Sequence, residues 1–268
     1  MRILFVCPHP DDLELYVGNF LHQCIVAGHI VKIVAMTRGE MSGDLTPVIK
    51  SSYKAAEIRT KELCNSCHIL GAPIPDFLGF IDGAVNITFQ TIQLMKKYME
   101  TFSPDVVVAS EPVYSFRTHH DHINTGKLVF YAAKRMLKSP AVYYYHSFFN
   151  HIYLPKLPKY RDLVQSAIHA HRSQARYFIG PFTLLTIHIS DFLHGLKTTP
   201  IRKAEALRRQ YVPNRDPMSA RQKLSIRIHG WKSVVLRLLL QLSRLGTSSS
   251  PFTSEYYDGT LPPTFSIN

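Results

Sequence analysis

The stretch Arg2-Ile-Leu-Phe-Val-Cys7, followed by Pro8-His9-Pro10-Asp11-Asp12, decides the fold of this chain of 268 residues. The apolar run has the length of one strand and no polar alternation, which predicts a strand buried on both faces. Residues 13–27 have the apolar spacing of a helix that stops at Gly28, and residues 30–36 predict a second strand. A strand, a helix and a strand in this order form a βαβ unit, which implies a parallel sheet with right-handed crossovers.

The same alternation continues along the chain. Further strands are predicted at residues 105–109, 142–145 and 183–189. Further helices are predicted at residues 52–70, at residues 88–102, from His122 to about residue 137, and from Ser190 towards residue 211. The sequence therefore predicts one α/β domain over residues 1–211, with a Rossmann-like, mostly parallel sheet flanked by helices.

Residues 212–268 predict a basic C-terminal helical extension that is partly mobile. Pro213 and Pro217 mark its start, residues 223–245 are helical in pattern, and residues 246–268 are rich in Ser, Thr and Pro. The apolar positions with helical spacing are Trp231, Val234, Val235, Leu238, Leu242 and Leu245. A basic amphipathic helix of this kind can lie on an anionic membrane, or it can pack on the domain or on another subunit.

The net charge of +12 arises from 31 Lys and Arg residues against 19 Asp and Glu residues. Taken alone, it suggests a polyanionic partner such as nucleic acid or an acidic membrane surface. Residues 195–250 hold twelve basic and two acidic residues, so this region carries +10 and the rest of the chain carries +2. We therefore expect no specific nucleic-acid partner for the domain. A non-enzymatic basic protein that binds nucleic acid stays an alternative, but it leaves the polar clusters described below unexplained.

The four cysteines are too few for a disulfide framework in a chain of this length, which favours a reducing, cytoplasmic location. The N-terminal apolar run is too short for the core of a signal peptide. No stretch reaches the roughly 20 uninterrupted apolar residues of a membrane-spanning helix. We therefore expect a cytoplasmic protein, which the basic extension could hold at the periphery of a membrane.

Imidazoles and carboxylates follow two of the predicted strands. They are His9, Asp11 and Asp12 after the first strand, and His119, His120, Asp121 and His122 after the strand at residues 105–109. Ligands bind parallel α/β sheets at the carboxyl ends of the strands, so both groups should face one cleft. A single such histidine is more often a surface residue, and an Asp pair before a helix is often a cap. The two groups together favour a divalent metal with nitrogen and oxygen ligands, with zinc as the leading candidate.

The motifs Pro8-His9-Pro10-Asp11-Asp12 and His119-x-Asp121-His122 resemble those of the zinc-dependent N-deacetylases of the PIG-L family, also called LmbE-like. Thr37-Arg-Gly-Glu40 and Gly79-Phe-Ile-Asp82-Gly83 add to the likeness, which covers roughly residues 1–211. The resemblance implies a hydrolase that removes the N-acetyl group from an N-acetylglucosamine-type sugar or glycoconjugate. The attacking group would be a zinc-bound water.

The resemblance also implies the metal ligands. They would be His9, Asp12 and His122, and they would hold Zn²⁺, for which Fe²⁺ could substitute. His120 stands where the family motif usually has proline, so His120 could compete as a ligand or simply face solvent. Arg117 stands where some relatives place an aromatic residue that gates the substrate.

The catalytic roles follow from the same resemblance. Asp11 would be the general base that takes a proton from the zinc-bound water. His119 would stabilise the developing oxyanion or protonate the leaving amine, and Asp121 would orient His119 and stabilise its charge. Arg59 and Asp82 would bind the substrate.

The sequence leaves the substrate and the oligomeric state open. The expected partner is a small-molecule N-acetyl amino sugar or its conjugate. An amidase of the same fold that acts on a thiol-sugar or on a glycolipid amide is the main alternative. The chain could also form a homo-oligomer, and the sequence does not name the sugar conjugate.

Overall fold

The structure, a computed structural model, describes residues 1–41, 52–115, 119–147, 150, 152–174, 181–196 and 203–210. The chain divides into two units after Arg209, and the described residues belong to the first unit except for Gln210. The predicted C-terminal extension at residues 212–268 lies outside the described residues.

Strands and helices alternate along the described chain. The strands are β1 (Arg2–Cys7), β2 (Ile30–Ala35), β3 (Asp76–Phe77), β4 (Val106–Ser110), β5 (Ala141–Tyr145), β6 (Ile152–Pro155) and β7 (Ala204–Gln210). The helices are α1 (Asp12–Val26), α2 (Ser52–Ile69), α3 (Phe89–Phe102), α4 (His120–Arg135), α5 (Arg161–His169) and α6 (Pro181–Gly195). Short 3₁₀ turns occur at Pro158–Tyr160 and Arg172–Gln174.

The strands form one sheet in the order β3-β2-β1-β4-β5-β7-β6. The pairs β1–β2, β1–β4, β2–β3 and β4–β5 are parallel, and β6 pairs with β7 in the antiparallel sense. The predicted α/β fold with a mostly parallel sheet flanked by helices is confirmed. The chain leaves β1 towards β2 on one side and later returns to β4 on the other side. This change of direction opens a crevice at the carboxyl ends of β1 and β4, where sheets of this kind bind ligands.

Strand β1 lies within the hydrophobic core, because residues 3–7 present apolar side chains to both faces of the sheet. Ile3, Phe5 and Cys7 pack with apolar residues of α1, α2 and α5. Leu4 and Val6 point to the opposite face of the sheet and are also fully buried. The prediction that the N-terminal apolar run forms a strand buried on both faces is therefore confirmed.

Helix α1 is interrupted at Val17, whose backbone (φ −140°, ψ 20°) is not helical. The N–H groups of Asn19 and Phe20, just beyond the interruption, donate to the Glu205 carboxylate at 2.9 and 2.8 Å. The ammonium group of Lys156 lies 3.6 Å from the same carboxylate. Glu205 on β7 therefore caps the second half of α1 and accepts from donors that the kink leaves without helical acceptors.

The predicted strand at residues 183–189 is wrong, because these residues lie in helix α6. Their Thr and Ile side chains are β-branched, which favoured a strand. The larger apolar side chains recur with a helical period at Leu185, Ile189, Phe192, Leu193 and Leu196. Among the helices of the described ranges, none combines the length and the apolar composition needed to cross a bilayer.

The predicted helix from Ser190 towards residue 211 is also wrong, because α6 ends at Gly195 and β7 covers Ala204–Gln210. The β7 sequence consists largely of good helix formers, so its local preference favours a helix. The strand lies between β5 and β6 in the sheet, and Arg208 on it forms a buried ion pair with Glu111 at 2.6 Å. Contacts with distant parts of the chain override a weak local preference here.

Replacing Glu205 by Ala should lower the free energy of unfolding by about 2–3 kcal/mol. The substitution leaves two helix N–H groups without their acceptor and removes one of the two carboxylates near the Lys156 ammonium group. Urea denaturation monitored by circular dichroism measures the effect. The matched change Glu57→Ala removes an exposed carboxylate that pairs with Lys61 and should leave the urea midpoint unchanged. Equal midpoints for Glu205→Ala and the unmodified protein would contradict the capping role.

Candidate metal centre

The loop between β1 and α1 holds His9 and Asp11, and α1 begins at Asp12; all three residues are buried at the carboxyl end of β1. The N–H of His9 donates to Asp12 Oδ2 at 3.1 Å, which ties the loop to the first residue of α1. Asp11 has a φ of 105°, a backbone conformation that is costly for a residue with a Cβ. Strain of this kind clusters at functional sites. The backbone conformation of Asp11 therefore marks it as a candidate functional residue, in agreement with the chemistry of its side chain.

The start of α4 brings the second group of residues to the same crevice. His119 precedes the helix and is exposed, whereas Asp121 and His122 are buried in its first turn. The Asp121 carboxylate accepts hydrogen bonds from the N–H groups of Gly83 at 2.7 Å and Val85 at 3.1 Å. These contacts fix the start of α4 against the loop that follows β3.

His9 is the side chain on which the carboxylates converge. Its Nε2 lies 3.0 Å from Asp82 Oδ1 and 3.1 Å from Asp121 Oδ2. Its Nδ1 lies 3.6 Å from Asp12 Oδ2, and the other oxygen of Asp12 lies 3.5 Å from His122 Nε2. The structure therefore brings the three residues implied as ligands together and places Asp82 directly against one of them.

The donor atoms suit a divalent metal. Ring nitrogens of His9, His119 and His122 lie within 4.8 Å of one another, and so do the ligand atoms of His9, Asp82 and Asp121. His9 belongs to both groups. Imidazole and carboxylate donors at this spacing form the kind of set that holds Zn²⁺ or Fe²⁺ in proteins. These side chains could therefore hold a metal ion.

Arg59 on α2 is buried and anchors Asp11. Its Nη2 donates to Asp11 Oδ2 at 3.2 Å and to the carbonyl oxygen of Pro10 at 2.6 Å, and its Nη1 donates to the carbonyl oxygen of Gly39 at 3.2 Å. Gly39 has a φ of 70°, and a Cβ at this position would overlap the guanidinium group. Glycine at this position of the Thr37-Arg-Gly-Glu40 motif therefore gives Arg59 the room to reach Asp11.

The carboxylates around His9 change its proton affinity. Burial alone would lower the pKa of His9, but hydrogen bonds with Asp12, Asp121 and Asp82 raise it well above its usual value. Burial would in turn raise the pKa values of Asp82 and Asp121, but their hydrogen bonds with His9 bring both below the usual value. A protonated His9 supplies positive charge to these carboxylates, and a bound metal ion would take over that role and displace the proton.

Two further groups have shifted pKa values. Burial raises the pKa of Asp11 to about 6, although the Arg59 guanidinium opposes the shift. Partial desolvation of the ring and the positive charge of His9 lower the pKa of His119, and the Asp121 carboxylate opposes this change. A carboxylate with a pKa of about 6 accepts a proton near neutral pH more readily than an ordinary aspartate does.

Comparison with known proteins identifies the domain that carries this site. Residues 4–133 match the sequence model of the PIG-L family, which is described as GlcNAc-PI de-N-acetylase. This span contains all the implied ligands and catalytic residues, from His9 to His122. We call residues 4–133, which match this model, the PIG-L domain.

Individual proteins that are similar to this chain are also named as deacetylases. The 1D-myo-inositol 2-acetamido-2-deoxy-alpha-D-glucopyranoside deacetylase of Mycobacterium sp. (strain KMS) is 27% identical, over 50% of this chain and 50% of that protein. The diacetylchitobiose deacetylase of Thermococcus kodakarensis is 26% identical, over 47% of each chain. The chain therefore spans about half the length of the curated relatives it matches. The structure of the N,N'-diacetylchitobiose deacetylase from Pyrococcus horikoshii is also similar, with a TM-score of 0.71 and 23% sequence identity. The match covers 78% of this chain and 83% of that chain, and it shows the shared fold.

The PIG-L domain departs from the family motif at His120. This side chain is exposed, and its Nε2 lies 2.7 Å from Asn124 Nδ2, one turn further along α4. His120 is in neither of the groups that could hold a metal. Arg117, the other departure, lies outside the described residues.

Sequence reasoning missed the polar side chains with which α2 supports the PIG-L site. Ser66 donates to Glu14 Oε1 at 2.5 Å, and His171 Nε2 lies 3.4 Å from the same oxygen. Glu62 accepts hydrogen bonds from the N–H and the hydroxyl of Ser173 at 2.7 and 2.6 Å. Arginine, glutamate and serine recur about one turn apart along α2, and this spacing is the signal that could have revealed a buried polar face.

The variant Gly39→Ala should lose more stability than the matched variant Gly79→Ala. Both glycines have a positive φ, 70° and 76°, so the backbone cost of a Cβ is similar. A Cβ at position 79 meets nothing within 4 Å, whereas one at position 39 overlaps Arg59. We expect the difference in the free energy of unfolding to be about 1–3 kcal/mol, because Arg59 must give up buried hydrogen bonds. Equal losses in chemical denaturation would show that Arg59 does not depend on this glycine.

Zinc affinity of the full chain should rise with pH, because the proton on His9 must leave before its ring nitrogen can bind a metal. Isothermal titration calorimetry between about pH 6 and about pH 8 measures this dependence. His9→Ala should weaken binding at least about tenfold, whereas His68→Ala, which removes an exposed histidine at the end of α2, should leave binding unchanged. If the zinc affinity changes neither with pH nor with the substitution His9→Ala, the metal binds at another site.

Proposed function

We propose that this chain is a metal-dependent hydrolase that removes the N-acetyl group from an N-acetylglucosamine-type sugar or glycoconjugate. One observation carries the proposal: His9, Asp12 and His122 converge at the switch point of the sheet, with Asp11 beside them in the same loop. This geometry belongs to a PIG-L domain, whose family description is a GlcNAc-PI de-N-acetylase. The curated relatives are named as deacetylases of N-acetylated sugars, which supports the same reaction class.

We assign the metal to His9, Asp12 and His122, and zinc is the ion that this donor set favours. When bound, zinc lowers the pKa of a coordinated water and polarises the amide carbonyl group. Asp82 and Asp121 would orient the ring of His9, since both carboxylates contact its Nε2. Partners of this kind hold a ligand histidine in one position and raise its affinity for the metal.

Asp11 would act as the general base. Its pKa of about 6 suits transfer of a proton from the attacking water near neutral pH. Arg59 holds the carboxylate in place at 3.2 Å. The water oxygen forms a bond to the amide carbon, the carbon–nitrogen bond then breaks, and the amine leaves with the transferred proton. The products are acetate and a free amino sugar.

His119 would stabilise negative charge on the carbonyl oxygen or protonate the leaving amine. Its exposed position allows contact with a substrate, and its ring centroid lies 4.9 Å from that of His9. The Asp121 carboxylate favours the protonated form of His119, against the effects of partial desolvation and of the His9 charge. This electrostatic effect supports the charge-stabilising role that we assign to Asp121.

A cavity of about 380 Å³ gives room for the sugar. Among the residues that line it are Arg38, Glu40, Tyr53 and Phe80, which offer charged hydrogen-bond partners and aromatic surfaces. Glu40 joins the cavity to the metal centre, because its Oε1 accepts a hydrogen bond from the N–H of Asp82 at 2.9 Å. We therefore propose that the sugar ring binds beside the side chains that hold the metal.

Arg59 and Asp82 would act mainly as positioning residues. The guanidinium group of Arg59 is engaged by Asp11 and two carbonyl oxygens, and the Asp82 carboxylate is engaged by His9 and by the N–H of Met41 at 3.0 Å. Their buried charged groups are therefore used in holding the general base and a metal ligand.

Acetate release from a panel of N-acetyl sugars tests the proposed activity. The zinc-loaded chain should release acetate and an equal amount of free amine from N-acetylglucosamine, diacetylchitobiose or an N-acetylglucosaminyl inositol, and a chelator should abolish the reaction reversibly. Thiol-sugar and glycolipid conjugates in the same panel separate the alternative amide substrates. A zinc-loaded protein that cleaves no member of the panel would overturn the proposal.

The variant Asp11→Asn should reduce kcat by about 10²–10⁴-fold, because an amide cannot accept the proton of the attacking water. Its zinc content should stay equal to that of the unmodified protein, since Asp11 is not among the assigned ligands. Asp105→Asn removes a partly exposed carboxylate before β4 and should leave kcat unchanged. Full activity of Asp11→Asn would rule out Asp11 as the base.

A further inference from the structure

Helix α6 and the turn after it expose an apolar stripe. Its side chains are between 44% and 61% exposed, and they belong to Leu185, Ile189, Phe192, Leu193 and Leu196. At roughly 100° per residue, these positions fall within an arc of about 100° on the helical wheel. Contiguous apolar patches of this kind on a protein surface mark sites of interaction with proteins or membranes.

An ion pair fixes the direction in which the stripe faces. Asp191 lies on the opposite side of α6 and is buried, and its Oδ2 is 2.8 Å from Lys156 Nζ. Gly195, on the same side as Asp191, is also buried. The apolar side could turn inward only if this partly buried ion pair broke and the Asp191 carboxylate became exposed.

Charge indicates what covers the stripe. Residues 181–203 contain a single acidic residue, the buried Asp191, and three basic residues, Lys197, Arg202 and Lys203. An apolar stripe that basic residues follow in the sequence suits a bilayer that contains anionic lipids. A second copy of the chain would bring the same positive charge to the interface and would be repelled.

The length of α6 determines how it can meet a bilayer. The helix has 15 residues, fewer than the roughly 20 needed to span the hydrocarbon core. Its apolar side chains lie on one side only, and the other side is held by Lys156. A helix of this kind lies in the plane of the membrane surface with its apolar side chains among the lipid head groups and upper acyl chains.

We propose that the apolar stripe of α6 docks the protein on membranes that contain anionic lipids. Leucine, isoleucine and phenylalanine side chains enter the bilayer surface, and the basic residues that follow α6 are attracted to the lipid head groups. This surface lies outside the metal centre, and its role does not depend on the proposed deacetylase activity.

Sedimentation of the full chain with vesicles tests the docking surface. The protein should bind vesicles of phosphatidylglycerol and phosphatidylcholine, bind pure phosphatidylcholine vesicles far more weakly, and lose binding as salt rises. The variant Leu185→Glu/Leu193→Glu should reduce binding at least about tenfold, since it places two negative charges in the stripe. Leu137→Glu is the matched control, because Leu137 is fully exposed outside the stripe, and it should bind as the unmodified protein does.

Folding and self-association are measured on the same samples. Circular dichroism verifies that each variant is folded, and the single variant Leu193→Ser, which adds no charge, should show a smaller loss of binding if the double variant unfolds. The proposal is overturned if stripe variants that are folded bind anionic vesicles as the unmodified protein does. It is also overturned if the unmodified protein binds both vesicle types equally, or if it is a dimer that dissociates with Leu185→Glu/Leu193→Glu and binds no vesicles.

Discussion

Buried negative charge around a single imidazole is the constraint on which the rest of the site depends. Asp12, Asp82 and Asp121 are all buried and all approach His9. Carboxylates removed from water are costly unless a cation balances them, so this cluster requires positive charge at its centre. A protonated His9 meets the requirement in part, and a divalent metal ion meets it more fully. The same electrostatic demand that raises the pKa of His9 therefore makes the cluster a suitable place for a metal.

The scaffold holds this charged cluster through backbone and side-chain contacts from separate parts of the chain. Asp121 is fixed by the N–H groups of Gly83 and Val85, and Asp11 is fixed by Arg59 from α2. The position of Arg59 depends in turn on the absence of a side chain at Gly39. Each group of the proposed mechanism is thus placed by a different loop or helix around the crevice between β1 and β4. Such preorganisation keeps reacting groups in position at no further cost during the reaction.

The local sequence pattern predicted the strands and helices whose burial is visible as an apolar pattern within consecutive residues. The runs that became β1 and β4 are apolar on both faces, and the run that became β2 is apolar except for Lys32. Helices α1 to α4 have helical spacing, so the type and the approximate bounds of these elements followed from the residues. The strand β7 did not follow, because the sequence Ala204-Glu-Ala-Leu-Arg-Arg-Gln210 favours a helix by propensity. Its strand conformation depends on a place in the sheet next to β5 and β6 and on partners such as Glu111. The strands β3 and β6 have only two and four residues, too few to produce a pattern.

The sequence by itself determined the class of fold, the two loops that carry the polar residues, and the residue types of a nitrogen- and oxygen-rich site. It did so because a buried parallel strand and the loop after it are encoded by consecutive residues. Only the tertiary structure decided that Asp82 contacts His9, that Arg59 holds Asp11 and that Glu205 caps the kink in α1. These contacts join residues 73, 48 and 186 positions apart, and a single sequence contains no periodicity that links such distant positions. Their geometry arises only when the sheet brings the carboxyl ends of its strands together.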